Sequence, residues 1–365
     1  MSVPSQAKRV ERTAIAGSAA DTPFEVAVFD TAVGSQNLGD QIIMRASMRV
    51  LERLFPQAHF WSLPSHDHIG PRGFKRLRHS LFSIACGTNL IHPKMPSRGQ
   101  WKLPRAWHRG WPFYARLRPR RLALMAVGSN GAAPTPQAAR YLQRTLWPGL
   151  PISARDQATQ RLLEEAEVPA VHTSCVTLWD LPEDHPMRVP RHKAKACVVA
   201  LTGTRRPTRA AVERDQRLLD SVAAAYETRF LWPQGQVDTE YYLSLARSDF
   251  TVLHHSLAAY TDLLVGAESL DFVGARLHAG ILALQHGRRP LVVKIDNRAA
   301  DIGASTGLPV IGGDQFDGLD ALIEGARETR LTLPTAAIRA WQNDLRRAVE
   351  GVLTPQLDLA AFHGR

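Results

Sequence analysis

The feature that most constrains this chain is an alternation that runs twice along it: short β-branched runs, each followed by apolar residues at helical spacing. Strand-then-helix repetition implies a parallel sheet, because parallel strands need crossovers that cover its faces. The first series opens with a strand at Phe24 to Asp30 and a helix over 40–55, where Ile43, Ala46, Val50, Leu51, Leu54 and Phe55 share one face. Strands are predicted next at 59–63, 81–86, 122–128, 151–154 and 170–178, and helices over 136–146 and 156–166. A second series begins with a strand at 196–202 and a helix over 208–226. Strands at 230–232 and 250–254, a helix near 260–269, a junction over 271–285, and strands at 290–295 and 308–311 around a helix at 299–306 complete it.

Between the two series, Leu181 to Lys195 is rich in proline and charge and has no period. We therefore read residues 23–185 as an N-terminal domain, 186–195 as a linker, 196–334 as a C-terminal domain and 335–365 as a closing helix and tail. Residues 1–22, polar and rich in Ala and Ser, read as a disordered leader. A chain of 365 residues has the length for two cores. The expected architecture is α/β, two doubly wound Rossmann-like domains facing a central cleft, with the ligand at the carboxyl ends of the strands.

Composition narrows the function classes. No apolar run approaches the ~18 residues that span a bilayer. Three widely separated cysteines without CxxC spacing argue against disulfides and zinc, and fit a reducing cytoplasm. No metal-ligand cluster stands out. From Arg72 to Arg121 there is no acidic residue, yet the segment holds more Lys and Arg than the whole chain's net +11, interleaved with Trp101, Trp107, Trp111, Phe113 and Tyr114. That charge suits a diphosphate-linked substrate or peripheral contact with an anionic membrane at its inner face. A solvated loop anchored by its aromatics fits it equally. Nucleic acid is not expected, since no binding motif accompanies the charge.

The chemistry-bearing residues fall at strand ends. In Asp271-Phe272-Val273-Gly274-Ala275-Arg276-Leu277-His278 a buried strand breaks into a helix over 277–285, which places Arg276 and His278 at a helix N-terminus suited to an anion. Arginine offers forked donors, and an ordinary imidazole titrates near neutrality. Asn37 and Gly39 form a tight turn before Asp40, which reads as a helix cap or as a carboxylate facing the cleft. Asn89 and Ser129 lie in glycine-containing loops, and Arg155 precedes a capping Asp156. Arg205, after the first strand of the second series, is a surface arginine or a partner of Arg276 in an anion clamp.

Asn37-Leu38-Gly39-Asp40, Ser153-Ala154-Arg155-Asp156 and Arg276-Leu277-His278-Ala279, taken together, resemble the motifs of the polysaccharide pyruvyl transferase family, over residues 25 to 312. The resemblance implies a GT-B-like pair of domains, phosphoenolpyruvate as donor substrate with no separate cofactor or metal, and a glycan or lipid-diphosphate-linked oligosaccharide as acceptor. It also implies that Arg276, Leu277 and His278 hold the donor, with His278 the acid, and aligns Arg205 less securely. Asp40 would take the proton of the attacking hydroxyl. The long basic insert and the Cys86-Gly87-Thr88-Asn89 loop depart from the family pattern. A nucleotide-sugar glycosyltransferase of GT-B shape and a non-catalytic carbohydrate-binding relative are the competing readings.

Overall fold

The computed structural model describes residues 23–65, 71–92, 121–129, 133–146, 149–245 and 247–363. The expected leader over 1–22 and residues 93–120 of the basic insert lie outside the described residues.

The first sheet contains β1 (Phe24–Asp30), β2 (Ala58–Pro64), β3 (Phe82–Cys86), β4 (Asn89–Ile91), β5 (Leu122–Ser129), β6 (Ile152–Ala154) and β7 (Val171–His172). Its order is β2-β1-β3-β5-β6-β7, with β4 pairing β5, and its pairings are parallel. Its helices are α1 (Leu38–Leu54), α2 (Pro71–Leu77), α3 (Pro136–Leu146) and α4 (Gln157–Glu165).

The second sheet contains β8 (Ala196–Ala200), β9 (Thr228–Leu231), β10 (Thr251–Val252), β11 (Leu270–Gly274), β12 (Arg289–Val293) and β13 (Val310–Ile311). The order β10-β9-β8-β11-β12-β13 is that of a dinucleotide-type doubly wound sheet, with its reversal between β8 and β11. Around it run α5 (Arg209–Ala225), α6 (Gln236–Ser244), α7 (Leu257–Gly266), α8 (Leu277–Gln285), α9 (Asn297–Thr306) and α10 (Leu319–Glu324), and the long α11 (Thr335–His363) follows. The two Rossmann-like domains form the GT-B-like architecture that the sequence implied.

Side-chain alternation explains the layers. Along β1, Val26 and Val28 join Ile43, Val50 and Leu51 of α1 and Trp341, Leu345 and Val349 of α11 in one core. Ala27 and Phe29 point the other way, to Leu142 of α3 and Leu162 of α4. The closing helix therefore crosses back onto the first sheet. At its own N-terminal turn α1 does the converse: Leu38 and Ile42 pack with Val198, Phe272 and Leu277 of the second domain. One helix thus contributes to both cores and fixes the junction at its first turn.

The structure corrects several predicted elements. The strand expected over 170–178 is only Val171–His172, followed by a 3₁₀ turn at Val176–Leu178. Buried Ser174, at φ +61°, bends the chain between them. The sequence pattern missed β4, α2, α6 and α10. For α6 the cause is clear, because it buries Asp238, Tyr241 and Tyr242 while exposing Leu243. Its apolar pattern is therefore inverted.

Candidate active site at the domain junction

On the first-domain side, β6 ends at Ala154 and Asp156 caps α4, its Oδ1 accepting from the Thr159 backbone N–H at 2.8 Å. The other carboxylate oxygen accepts from Arg155 through Nε at 3.2 Å and Nη2 at 3.1 Å. Nη2 also donates to Asn89 Oδ1 at 2.7 Å. Arg155 is 1% exposed, and its Nη1 is buried without an acceptor. A charged donor left unpaired in the interior costs free energy, so it marks either strain or a waiting ligand. Gly128 makes the room: a Cβ there would lie 2.1 Å from Arg155 Nη2.

The second domain repeats the device. Arg276, the residue before α8, donates from Nε to Leu201 O at 3.1 Å and from Nη2 to both oxygens of Asp238, 2.6 Å to Oδ2. Nε and Nη2 of the fork expected to grip an anion are thus engaged by protein acceptors. Arg205 is exposed on the loop after β8 and makes no ion pair among the described residues.

His278, 8% exposed, occupies the first turn of α8, with Nε2 3.7 Å from Cys175 Sγ. Its pKa is not near neutrality, as an ordinary imidazole's would be, but lowered to about 3. Burial is the main cause; Arg155, Arg298 and Arg276 add to it, and Asp296 partly offsets them. The same burial raises the pKa of the Cys175 thiol. The imidazole is therefore neutral at neutral pH, with three guanidiniums among the charges that act on it. Asp296 caps α9 through Oδ1 and pairs with Arg298 through Oδ2.

The loop before α1 closes the site. Asn37 caps α1 by accepting from Gly39 N–H at 3.1 Å, and Ser35 Oγ donates to Asp40 Oδ2 at 2.6 Å. Leu38 N–H donates across the junction to Gln234 O at 3.1 Å. Asp40 is buried in the first turn of α1. Ser129 accepts from Thr159 Oγ1 at 3.1 Å and steadies the start of α4. Leu277 is a packing residue of the second core. Sequence reasoning missed Asp238, Gln234, Cys175 and the proximity of Arg298 to His278. Position was the usable signal for the first two, since Trp232-Pro233-Gln234-Gly235 follows β9 at the same carboxyl edge. No cluster of His, Cys, Asp or Glu that could hold a metal ion occurs among the described residues.

No curated protein matches the sequence. Among solved structures, UDP-N-acetylglucosamine 2-epimerase from Rickettsia bellii is similar at 8% identity and TM-score 0.47, over 92% of this chain and 97% of that one. The E. coli heptosyltransferase WaaC is similar at 14% identity and TM-score 0.34, over 88% and 99%. The GT-B domain of a sialyltransferase from Photobacterium damselae is similar at 8% and 0.30, over 83% and 95%. At such scores these likenesses carry no argument, and the fold stands on its sheet order. The sequence model of the polysaccharide pyruvyl transferase family matches residues 37–297, a span that includes Asp40, Arg155, Asp238, Arg276 and His278, so this chain belongs to the polysaccharide pyruvyl transferase family.

Proposed function

We propose that the protein transfers the enolpyruvyl group of phosphoenolpyruvate to sugar hydroxyls of a polysaccharide or its lipid-diphosphate-linked precursor, forming a pyruvyl ketal and releasing phosphate. The observation that carries this reading is the neutral, buried His278 set among Arg155, Arg298 and Arg276. A small donor bearing a carboxylate and a phosphate would supply the negative charge this cluster lacks. Its arrival would also raise the proton affinity of His278. Because Arg155 Nη1 is sealed from solvent, seating the donor requires neighbouring side chains to shift, as is common between free and liganded sites.

In this scheme the imidazolium of His278 gives its proton to the methylene carbon, and the double-bond electrons form the new C–H bond. Cationic character then develops at the adjacent carbon, which a sugar hydroxyl attacks while Asp40 takes the hydroxyl proton. Phosphate leaves with its bonding electrons, and a second hydroxyl attacks the same carbon while its proton passes to the departing phosphate, which completes the ketal. The acidic-residue-free segment from Arg72 to Arg121 favours a diphosphate-bearing acceptor.

The test is phosphate release from phosphoenolpyruvate across a panel of glycan acceptors, with nucleotide sugars as alternative donors. His278→Gln should lose turnover by at least about a thousandfold while keeping its circular dichroism. Undiminished release by the variant, or turnover of a nucleotide sugar alone, would overturn the reading.

A further inference from the structure

Three strand-end loops converge on one carboxylate that the scheme above does not use. Asp238, 2% exposed, accepts from Gly203 N–H of the loop after β8 at 2.7 Å. It also accepts from Gln234 N–H of the loop after β9 at 3.0 Å, and from Arg276 of the loop after β11 through Nη2. It lies in the first turn of α6, where the helix dipole favours negative charge. Burying a carboxylate is costly unless donors surround it, and here they do.

The arrangement is unequal in a telling way. Asp238 is sealed at 2%, while the side chain of its partner Arg276 keeps 20% exposure. With Nε on Leu201 O and Nη2 on Asp238, the guanidinium plane is held at two points. Nη1 is the nitrogen left without an acceptor among the described residues. The exposed part of the side chain leaves that nitrogen able to meet a ligand while the other two are held. The turn carrying Asp238 also touches the other domain, since Gln234 O accepts from Leu38 N–H at the start of α1.

We propose that Asp238 is a positioning residue that orients Arg276 toward the anionic donor and so sets donor affinity. The proposal rests on the donor-site reading given above, and it is tested in two ways, one of which needs no donor. Asp238→Asn keeps the shape but replaces one acceptor oxygen with an amide that Arg276 cannot use. Modification of Arg276 by phenylglyoxal, mapped by mass spectrometry on the full chain, should rise several-fold in the variant. In steady-state phosphate release the donor KM should rise about tenfold or more, with kcat changed by less than about threefold. Asp238→Glu, which keeps the charge, should lie between Asp238→Asn and wild type on both readouts. If Asp238→Asn fails to fold, Asp238→Glu serves as the variant, because its longer arm must still move Arg276. Unchanged Arg276 labelling and unchanged donor KM in a folded variant would overturn the proposal. Altered labelling in a protein that does not turn over phosphoenolpyruvate would instead uphold the link between Asp238 and Arg276 and sink the donor assignment.

Discussion

The two arginines at the junction are built alike and housed differently. Each follows a strand end, each is anchored by a carboxylate near a helix start, and each leaves Nη1 without an acceptor among the described residues, buried in Arg155 alone. Arg155 is sealed in the first domain at 1% exposure, tied to Asp156 and Asn89. Arg276 stands at the edge of the second with a fifth of its side chain exposed. After burial, Arg155 is also the largest charge effect on His278, and Arg276 the smallest of those resolved. Coulomb interactions strengthen where water is excluded, so on the proposed donor reading Arg155 would supply the tight, dry hold on the anion and Arg276 capture at the rim.

Swapping each guanidinium for an ammonium is the strongest way to break that comparison. Lysine cannot serve Asp156 and Asn89 while presenting a further nitrogen, because its charge is a single point rather than a planar fork. Arg155→Lys should therefore lower kcat/KM for the donor about a thousandfold, or about 4 kcal/mol. Arg276→Lys should cost about ten- to thirtyfold. Phosphate-release kinetics on both variants decide it. An equal or reversed ranking would mean that burial does not determine which arginine holds the donor.

The glycines beside each arginine sharpen the contrast further. A Cβ at Gly128 would collide with the Arg155 guanidinium, whereas one at Gly274 would meet the Ala200 carbonyl oxygen at 2.6 Å, in the pairing of β8 with β11. Gly128→Ala should displace a buried arginine from its carboxylate, reducing kcat/KM by about tenfold and lowering the melting temperature through the disturbed ion pair rather than through the sheet. Gly274→Ala should instead push two strands apart and destabilise the fold by about 1–3 kcal/mol. Thermal melts and kinetics on the pair separate room made for a ligand-binding group from room made for the sheet.

How much of this was legible in sequence depended on whether a residue's role was local. The break of β11 into α8 at Gly274, Arg276 and Leu277, the cap at Asp156 and the turn at Asn37 are decided within a few residues, and pattern reading reached all three. Asp238 was not reachable by periodicity, because the helix that carries it buries an acid and exposes a leucine. Two of its partners, Gly203 and Arg276, lie 35 and 38 positions away in sequence. The proton affinity of His278 was misjudged for the same reason. An imidazole near neutrality is a property of the residue, while a value near 3 comes first from burial at the junction and then from cations drawn from both domains. The anchoring of Arg276 by Asp238 likewise required three loops to meet.

The smallest expected effect follows from that imidazole and carries a definite sign. In the unfolded chain His278 has its ordinary pKa of 6.5, and in the folded chain about 3. Between those values the unfolded state binds a proton that the native state refuses, so stability rises with pH across the window and is lost as the pH falls from about 6.5 toward 3. Above 6.5 both states are neutral at this position and it contributes no pH dependence. His278→Gln removes this titrating group, so the loss of melting temperature between pH 7 and pH 5 should be smaller in the variant than in wild type, by a few degrees. The donor should act on the same group in the opposite direction. Its negative charge offsets the guanidiniums of Arg155, Arg298 and Arg276 that lower the proton affinity of the ring, so binding should take up a proton, visible as a calorimetric heat that varies with the ionisation enthalpy of the buffer. Arg155→Lys should change that uptake more than Arg276→Lys, since the buried cation weighs more on the ring. Binding with no proton uptake from pH 5 to 7 would leave His278 neutral in the complex and remove the acid from the scheme.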